Sequence, residues 1–488
     1  MKQLLRREFL TKSTIALSGI GVGAYLPTSL WANSHGSNDD ISIGIVGVGW
    51  KGGDHCKDFF RAKGARVTAI CDADQLHLDE EVARFKERGQ SVKTYRDIRD
   101  LLDDADIDAV VIATPNHWHA LMTIWALQAG KDVYIEKPVS HDIWEGRRML
   151  EAGEKYGRIV QAGTQARSNK SYDEAIEYLK AGNLGAVKWV HGIDYKKRTS
   201  MGRVTGPQPI PPSVDYNLFQ GPAPLDPLMR KKLHYDWHWQ WPTGNGDMGN
   251  IGAHVVDNLR RIMGDHRQPK RVMSIGGRFL HQDDGETPNE HLTYLDYGDY
   301  PVFAEIRNLP YQSGADYMDN IRGTRNGVII HCETGYLVFG FGGVSAYSNA
   351  GKRITAFSGE SVKAHIDNFI DAVRNRNSAA LNCPLKIGVQ GAELCHLANL
   401  SYRSGHPASF DAIKERMGES EAVEAAVDGI RGNLERNGVG VENNPLTLGS
   451  WLSLNAEGDS LSVEDDRSEL VAQALFEPRD YREPFVVS

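Results

Sequence analysis

The sequence predicts an α/β protein, in which a doubly wound parallel sheet precedes an α+β domain with a large open, mostly antiparallel sheet. Two observations predict this class. Short apolar strands alternate with helices over residues 41–165, which is typical of parallel sheets. Beyond residue 166 the apolar segments resemble longer antiparallel strands. A chain of 488 residues, 24% charged and 41% hydrophobic, has room for both domains.

The first half is predicted to alternate strands and helices, beginning with a strand. The predicted strands are Ile41–Val46, Arg66–Cys71, Ala109–Ala113, Val133–Ile135 and Ile159–Ala162. The predicted helices are Asp54–Lys63, Leu76–Gly89, Asp97–Leu102, His119–Gly130, which a glycine ends, and Ile143–Tyr156. Ligands bind at the carboxyl ends of the strands in such sheets, so the residues that follow each strand are the first candidates for a site.

The second half is predicted as a domain over residues 166–410 and a C-terminal extension over residues 411–488. Its predicted helices are Tyr172–Ala181, Ala364–Arg374 and Gly388–Tyr402. Its predicted strands are Val187–Ile193, Arg271–Phe279, His291–Asp296, Pro301–Arg307, Gly327–His331 and Tyr336–Phe341. A proline- and glycine-rich stretch, residues 202–227, separates the first strand from the others. The acidic tail carries no motif, and we expect it to cover the open sheet or to reach a neighbouring subunit.

The first 32 residues predict a twin-arginine export signal. Arg6 and Arg7 precede an apolar stretch that contains Pro27 and ends before Ala32, which favours a cleaved signal over a membrane anchor. We therefore expect a periplasmic or otherwise exported protein. The formal net charge of −9 argues against nucleic-acid and anionic-membrane partners. The five cysteines show no paired spacing, which argues against a disulfide framework or a zinc site.

A glycine-rich turn follows the first strand and predicts a dinucleotide site. Gly47, Gly49 and Gly52 form a G-x-G-x-x-G pattern, with Trp50 and Lys51 inside it. Glycine permits the tight turn and a close approach of the backbone to pyrophosphate. Asp72 ends the next strand, where a carboxylate accepts hydrogen bonds from the adenosine ribose and repels a 2′-phosphate. These features predict a Rossmann domain that prefers NAD to NADP, and the alternative is an ordinary glycine turn.

Two further motifs follow later strands of the same sheet. One is Ala113-Thr114-Pro115-Asn116-His117-Trp118-His119 and the other is Glu136-Lys137-Pro138. With the glycine turn and the segment Gly246–Asp257, they resemble the Gfo/Idh/MocA family (glucose–fructose oxidoreductase and inositol dehydrogenase) over residues 41–403. The resemblance implies that the cofactor is bound by Thr114, Pro115, Asn116, His119, Glu136 and Lys137, in addition to Gly47, Gly49, Trp50, Lys51, Gly52 and Asp72.

The resemblance also assigns catalytic roles. Lys137 is similar to the family's lysine beside the nicotinamide and the reacting hydroxyl, and a neighbouring cationic ring lowers the pKa of such a lysine. His254 resembles the family's histidine, which bonds the substrate hydroxyl. Members such as inositol dehydrogenase carry an aspartate four residues before it, where this chain has Asn250. An amide can bind substrate but cannot act as a base, and Asp247 and Asp257 are the nearby carboxylates.

An aromatic segment, residues 234–241, precedes the histidine motif. Because aromatic faces stack on pyranose rings, Trp237, His238 and Trp239 predict a sugar-binding wall. The alternative is that these rings fill the gap between the domains or form a subunit contact. The histidines and aspartates here lack a recognisable ligand spacing, and we expect no metal.

Three functions agree with these patterns. The first is an exported NAD-dependent oxidoreductase that acts on a sugar or cyclic polyol with a tightly bound, internally recycled cofactor. The second is an NAD-dependent glycoside hydrolase that oxidises the sugar transiently, for which Tyr195, Tyr235 and His238 are candidate bases. The third, suggested by Asn250, is a non-catalytic sugar-binding protein with structural NAD. The family resemblance also implies a homo-oligomer, either a dimer or a tetramer.

Overall fold

The computed structural model describes residues 40–340, 342–455, 459–478 and 480–487. The predicted export signal lies outside these residues. A six-stranded parallel sheet begins the described chain, with strand order β3-β2-β1-β4-β5-β6. Its strands are β1 (Ile41–Val46), β2 (Ala65–Cys71), β3 (Lys93–Tyr95), β4 (Ala109–Ile112), β5 (Asp132–Ile135) and β6 (Val160–Ala162). The order reverses between β1 and β4, which opens a crevice at their carboxyl ends.

Five helices flank this sheet. They are α1 (Lys51–Arg61), α2 (Gln75–Glu87), α3 (Ile98–Leu102), α4 (Asn116–Gln128) and α5 (Ile143–Tyr156). Asp74 and Asp142 cap α2 and α5, because their carboxylates accept hydrogen bonds from backbone N–H groups of the first turn. The predicted elements are confirmed to within a few residues. Strand β3 was missed because it is a short, largely exposed edge strand without an apolar pattern.

A second sheet of twelve strands follows. Its strands are β7 (Val187–Tyr195), β8 (Arg271–Gly277), β9 (Glu290–Asp296), β10 (Val302–Arg307), β11 (Asn326–Cys332), β12 (Gly335–Gly340), β13 (Gly343–Ser348), β14 (Arg353–Ser358), β15 (His406–Ala408), β16 (Leu446–Leu448), β17 (Leu452–Leu454) and β18 (Leu461–Val463). Strands β7 and β10 pair in parallel and the other described pairs are antiparallel. The predicted open, mostly antiparallel sheet is confirmed.

Helices cover both faces of this sheet. The remaining helices are α6 (Lys170–Lys180), α7 (Tyr216–Gln220), α8 (Gly246–Asn250), α9 (Gly252–Met263), α10 (Val362–Asn375), α11 (Leu385–Ser404), α12 (Phe410–Met417), α13 (Glu421–Arg436) and α14 (Asp466–Phe476). One face packs on α6, α9 and α11. The opposite face of β8, β9 and β10 packs on α12 and α13 from the tail. The expectation that the tail covers the open sheet is therefore confirmed.

The two halves of the chain share their cores. Helix α10 places Ile366, Phe369 and Ile370 in the core formed by β1 and β2, and the start of α11 packs near β5 and β6. Phe485, close to the C-terminus, packs edge-on against Trp118 with ring centroids 5.4 Å apart. The first domain is thus completed by elements that lie far beyond the predicted boundary at residue 165. Within the described ranges, no helix is both long and apolar enough to cross a membrane.

Candidate active site

The glycine turn between β1 and α1 has the backbone that a dinucleotide site needs. Gly47 has a φ of 78°, and a Cβ there would lie 2.8 Å from the carbonyl oxygen of Ala113. A Cβ on Gly52 would lie 1.7 Å from the carbonyl oxygen of Gly47. Both positions therefore exclude a side chain, and the turn leads directly into the N-terminus of α1. The open N–H groups of a helix N-terminus attract phosphate, so the turn fits the predicted pyrophosphate.

Asp72 lies at the carboxyl end of β2 on the wall of the same cleft. Its carboxylate accepts hydrogen bonds from the backbone N–H groups of Val48, at 2.8 Å, and Asp74, at 2.9 Å. His77 Nδ1 lies 3.5 Å from Asp72 Oδ2, and this contact raises the pKa of His77. The carboxylate is therefore fixed beside the glycine turn, in the position predicted for the ribose.

The motif after β4 forms the opposite wall of the cleft. Thr114, Pro115, Asn116 and His119 all line the cavity, as do Trp50 and Lys51 from the glycine turn. Asn116 Nδ2 donates to Asn245 Oδ1 at 2.9 Å, which ties this wall to the second half of the chain. The ring nitrogens of His119 lie 2.6 Å from Pro138 O and 2.8 Å from Thr114 O. His119 thus holds the two motif loops together.

Glu136 is buried at the end of the cleft that carries Lys137. Its Oε1 lies 2.8 Å from His55 Nε2 and accepts a hydrogen bond from Gln165 Nε2 at 3.0 Å. Burial alone would raise the pKa of Glu136, but His55, Lys51 and Lys137 hold that pKa well below its ordinary range. Glu136 is consequently a fixed negative charge beneath the lysine.

Lys137 and the α8–α9 segment meet across the cleft. Lys137 Nζ donates to the backbone oxygen of Asn250 at 2.9 Å and lies 3.3 Å from its Oδ1. Burial and the charge of Lys51 lower the pKa of Lys137. Burial, followed by the charge of Lys137, lowers the pKa of His254 to about 3, so its imidazole is neutral at physiological pH. The three predicted catalytic residues therefore line the same cavity.

The two carboxylates considered as substitutes for the family aspartate are both engaged. Asp247 accepts hydrogen bonds from Arg198 at 2.7 and 2.8 Å and from Asn308 Nδ2 at 2.8 Å. Asp257 accepts hydrogen bonds from Arg167 Nε at 2.7 and 2.9 Å. These hydrogen bonds occupy the oxygens of both carboxylates. Neither residue is placed to act as a base.

The aromatic segment contributes only part of the predicted wall. Trp237 and His238 line the cavity and stack on each other, with ring centroids 3.6 Å apart. Burial lowers the pKa of His238 to about 4. Trp239 lies outside the cavity, where the Arg198 guanidinium carbon sits 5.4 Å from its ring centroid. The ring of Trp239 packs beneath Arg198, and its contact with a substrate stays a prediction.

Residues 211–241 contribute Leu218, Phe219 and residues 234, 235, 237 and 238 to the lining of the cleft, and we call them the covering segment. Its Val214 forms a β-bridge with Asp74, and Leu218 O accepts a hydrogen bond from Trp118 Nε1 at 3.1 Å. Only α7 and a short 3-10 turn are regular within it. The sequence marked part of this segment as rich in proline and glycine, but no local pattern revealed where it would lie.

Two contacts hold the covering segment to the adenosine side of the cleft. His234 Nε2 lies 2.9 Å from Asp74 Oδ2, and the rings of Tyr235 and Trp50 lie 5.6 Å apart. Asp74, His77 and His234 also place possible ligand atoms within 4.8 Å of one another. The absence of a metal from the site stays a prediction.

The cleft continues into a substrate half, and together they form a cavity of about 1170 Å³. This exceeds the roughly 300–1,000 Å³ of an ordinary small-molecule site. The cavity can therefore hold a dinucleotide and a second ligand. The sequence reasoning missed several lining residues of the substrate half, namely Asp194, Lys196, Arg198, Asn258 and Asn326. No alternation in β7 could have indicated Asp194, because residues 190–195 of that strand are all buried.

Comparison with protein families identifies the family of this chain. The profile of an oxidoreductase family's NAD-binding Rossmann fold matches residues 41–164, and the profile of its C-terminal alpha/beta domain matches residues 183–434. The chain belongs to the Gfo/Idh/MocA oxidoreductase family. The predicted resemblance, the fold class and the NAD-binding domain are confirmed.

Individual Gfo/Idh/MocA relatives match a shorter stretch. Inositol 2-dehydrogenase of Salmonella paratyphi B is 33% identical over 161 residues, which are 33% of this chain and 47% of that protein. A glycosyl hydrolase family 109 protein of Shewanella pealeana is 34% identical over 122 residues, which are 24% of this chain and 27% of that protein. The chain thus spans about half the length, or less, of these curated relatives.

Solved structures resemble the whole Gfo/Idh/MocA fold. The WlbA dehydrogenase of Bordetella pertussis, in complex with NADH and UDP-GlcNAcA, has a TM-score of 0.54 and 18% identity, and the match covers 74% of this chain and 95% of that one. Levoglucosan dehydrogenase, in complex with NADH and levoglucosan, has a TM-score of 0.54 and 19% identity, covering 74% and 96%. At these identities the likeness shows the fold alone.

Proposed function

We propose that the protein is an exported NAD-dependent oxidoreductase that acts on a sugar or cyclic polyol, with a tightly bound cofactor that is recycled in place. One observation carries the proposal. Lys137 and His254 come from opposite halves of the chain and line one cavity with the glycine turn and Asp72. The residue types fit a dinucleotide along one wall and a hydroxyl compound at its end.

The chemistry assigned to the side chains is an alcohol oxidation. When bound, NAD⁺ supplies a hydride acceptor. Lys137 binds the substrate hydroxyl and takes its proton, because burial favours the neutral amine that serves as a base. His254 stays neutral and orients the same hydroxyl by a hydrogen bond. Asn250 positions Lys137 through its backbone and side-chain oxygens.

The covering segment supports tight retention of the cofactor. Release of a dinucleotide from the cleft requires the contacts of His234 with Asp74 and of Leu218 with Trp118 to open. An exported enzyme meets no free pool of nicotinamide cofactor, so a second, carbonyl substrate must return the electrons to complete the cycle. Retention at nanomolar strength corresponds to about 12 kcal/mol of binding free energy.

Native mass spectrometry of the secreted protein tests this proposal. We expect one nicotinamide dinucleotide for each chain, and the same spectrum gives the subunit count that decides between a dimer and a tetramer. Addition of sugars and cyclic polyols should then change the near-ultraviolet absorbance of the bound nicotinamide. A secreted protein that is empty and takes up neither NAD nor NADP would contradict the proposal.

A second candidate is the NAD-dependent glycoside hydrolase, which the local similarity to the glycosyl hydrolase family 109 protein favours. All three candidate bases line the cavity, but Tyr195 donates its hydroxyl to the buried Glu305. Tyr235 accepts a hydrogen bond from Arg198 at 2.6 Å. Release of the aglycone from aryl glycosides, without net reduction of the cofactor, would favour this candidate.

A further inference from the structure

Asp194 is a cavity carboxylate that the proposed chemistry leaves unused. It lies on β7, is 7% exposed and lines the same cavity as Lys137, Asn250 and His254. Asn326 Nδ2, on the adjacent strand β11, donates to one of its oxygens. Its second oxygen has no hydrogen-bond partner within the described part of the chain. One strong acceptor is therefore left for a ligand.

The packing of β7 places Asp194 beside the reacting group. Gly192, two residues earlier, lies on the same face of the strand, and a Cβ there would be 2.4 Å from Val255. Strand β7 thus touches α9 at the residue that follows His254. Alternate residues of a strand share a face, so Asp194 lies on the same face of β7 as Gly192. It is two residues further along the strand and lines the cavity.

The carboxylates next to Asp194 are saturated. Asp247 is held by Arg198 and Asn308, and Glu136 is held beneath Lys137 by His55. Of the two buried carboxylates among the described residues that line the cavity, Glu136 and Asp194, only Asp194 has an open oxygen. Asp194 lines the same cavity as Lys137 and His254 and interacts electrostatically with Lys137.

We propose that Asp194 selects the substrate by accepting a hydrogen bond from the hydroxyl next to the one that is oxidised. The inference rests on the proposed function and narrows its substrate class to neutral sugars and cyclic polyols with two adjacent hydroxyls. A carboxylate or phosphate at that ring position would compete poorly for Asp194, because an anionic group cannot donate a hydrogen bond to a carboxylate. No bond is made or broken at Asp194.

The charge of Asp194 changes near neutral pH. Burial, and then the nearby Asp247, raise its pKa to about 7, against the lowering effect of Lys196, Arg198 and Lys137. The ionised form, which is the stronger acceptor, dominates above that pH. Recognition of the adjacent hydroxyl should therefore strengthen with rising pH.

Calorimetric binding to the NADH-loaded protein tests the proposal. The probes are myo-inositol and D-glucose, each with its mono-deoxy analogues. We expect the wild type to bind a parent polyol roughly 10- to 100-fold more tightly than one of its deoxy analogues. Asp194→Asn should bind the two with nearly equal affinity. The matched control Asp371→Asn, an exposed site on α10, should keep the preference of the wild type.

An Asp194→Asn variant that keeps the full preference overturns the inference. If that variant loses its bound cofactor through misfolding, the wild type decides, because its preference should shrink between about pH 8 and about pH 6. A preference that is flat over this range overturns the inference. Turnover of the probes is measured separately. If Asp194→Asn loses the preference but the wild type oxidises none of the probes, only the oxidoreductase proposal is contradicted. If the wild type binds none of the probes, both proposals are contradicted.

Discussion

Lys137 Nζ lies 2.9 Å from the backbone oxygen of Asn250, although 113 residues separate the two in sequence. This contact joins the carboxyl end of β5 to the junction of α8 and α9. The lysine is half-buried, and its pKa is lowered by burial. The residue that it contacts, Asn250, cannot ionise. Asn250 therefore accepts a hydrogen bond from the amine and orients it, and in the proposed reaction the lysine would be the base.

Replacement of Lys137 by methionine tests this assignment. Methionine keeps the length of the stem but removes the base, and loss of a general base costs about 10²–10⁴-fold in rate. We expect this loss in single-turnover reduction of the bound cofactor, with cofactor occupancy unchanged. The control Lys63→Met, at an exposed site beyond α1, should react like the wild type.

The pH dependence of the oxidation follows from the same lysine. A base with a lowered pKa is neutral at a lower pH than usual, so the wild-type rate should rise with pH through the pKa of Lys137 and then level off. His254 contributes no limb near neutrality, because its pKa is about 3. If the dependence of kcat on pH is the same in Lys137→Met as in the wild type, Lys137 is not the base of the reaction.

Gly47 provides a second test, with an internal control. Gly47 and Gly89 have nearly the same φ, 78° and 76°, but a Cβ at Gly89 meets nothing within 4 Å. Gly89→Ala should cost only the left-handed backbone strain of about 1–2 kcal/mol. Gly47→Ala adds a clash with Ala113 O, and we expect it to abolish cofactor occupancy in native mass spectra. Equal occupancy in the two variants would show that the turn does not hold the cofactor.

The sequence allowed the parallel half and its motif residues to be predicted because their signals are local. Gly47 and Asp72 lie at strand ends whose position the β-α alternation already determines. Lys137 and His254 needed the family resemblance, since nothing local shows that β5 and α9 meet. Once the resemblance identifies His254, the spacing of four residues places Asn250 on the same side of the segment that forms α8 and α9.

The rest depends on contacts between distant parts of the chain. In the sequence, Asp194 does not differ from the other buried residues of β7. That one of its oxygens is open becomes clear only when the structure places Asn326 beside the other oxygen. The covering segment has little regular structure, so no periodic pattern predicted its path. Trp239 was expected in the sugar wall because composition cannot tell which of two neighbouring tryptophans faces a cavity.

The covering segment should control how fast the cofactor leaves. His234→Ala removes the contact with Asp74, and loss of one hydrogen bond to a charged group, about 1.5–3 kcal/mol, would speed dissociation by roughly 10-fold or more. Dissociation of NADH from the loaded protein, followed by exchange with excess NAD, measures the rate. His406→Ala, at an exposed site on β15, is the control. Identical rates would mean that the segment does not hold the cofactor.

Glu290 on β9 gives a prediction for stability. Its Oε1 accepts hydrogen bonds from the N–H groups of Asn308, at 3.1 Å, and Leu309, at 3.0 Å, while Oε2 is buried without a described partner. Burial raises the pKa of Glu290 to about 8, from an ordinary value of 4.5. Between these two values the folded state keeps a proton that the unfolded chain has lost. The contribution of Glu290 to stability is therefore full below about pH 4.5 and falls as pH rises towards 8.

Glu290→Gln should remove this dependence, because an amide stays neutral. We expect the variant to gain unfolding free energy relative to the wild type as pH rises from about 5 to about 9, by on the order of a few kcal/mol. Denaturant unfolding at the two pH values measures the difference. Glu174→Gln, at an exposed site on α6, should show no such change. A difference between wild type and Glu290→Gln that does not vary with pH would mean that the carboxyl is ionised in the folded protein, held by the nearby Arg307.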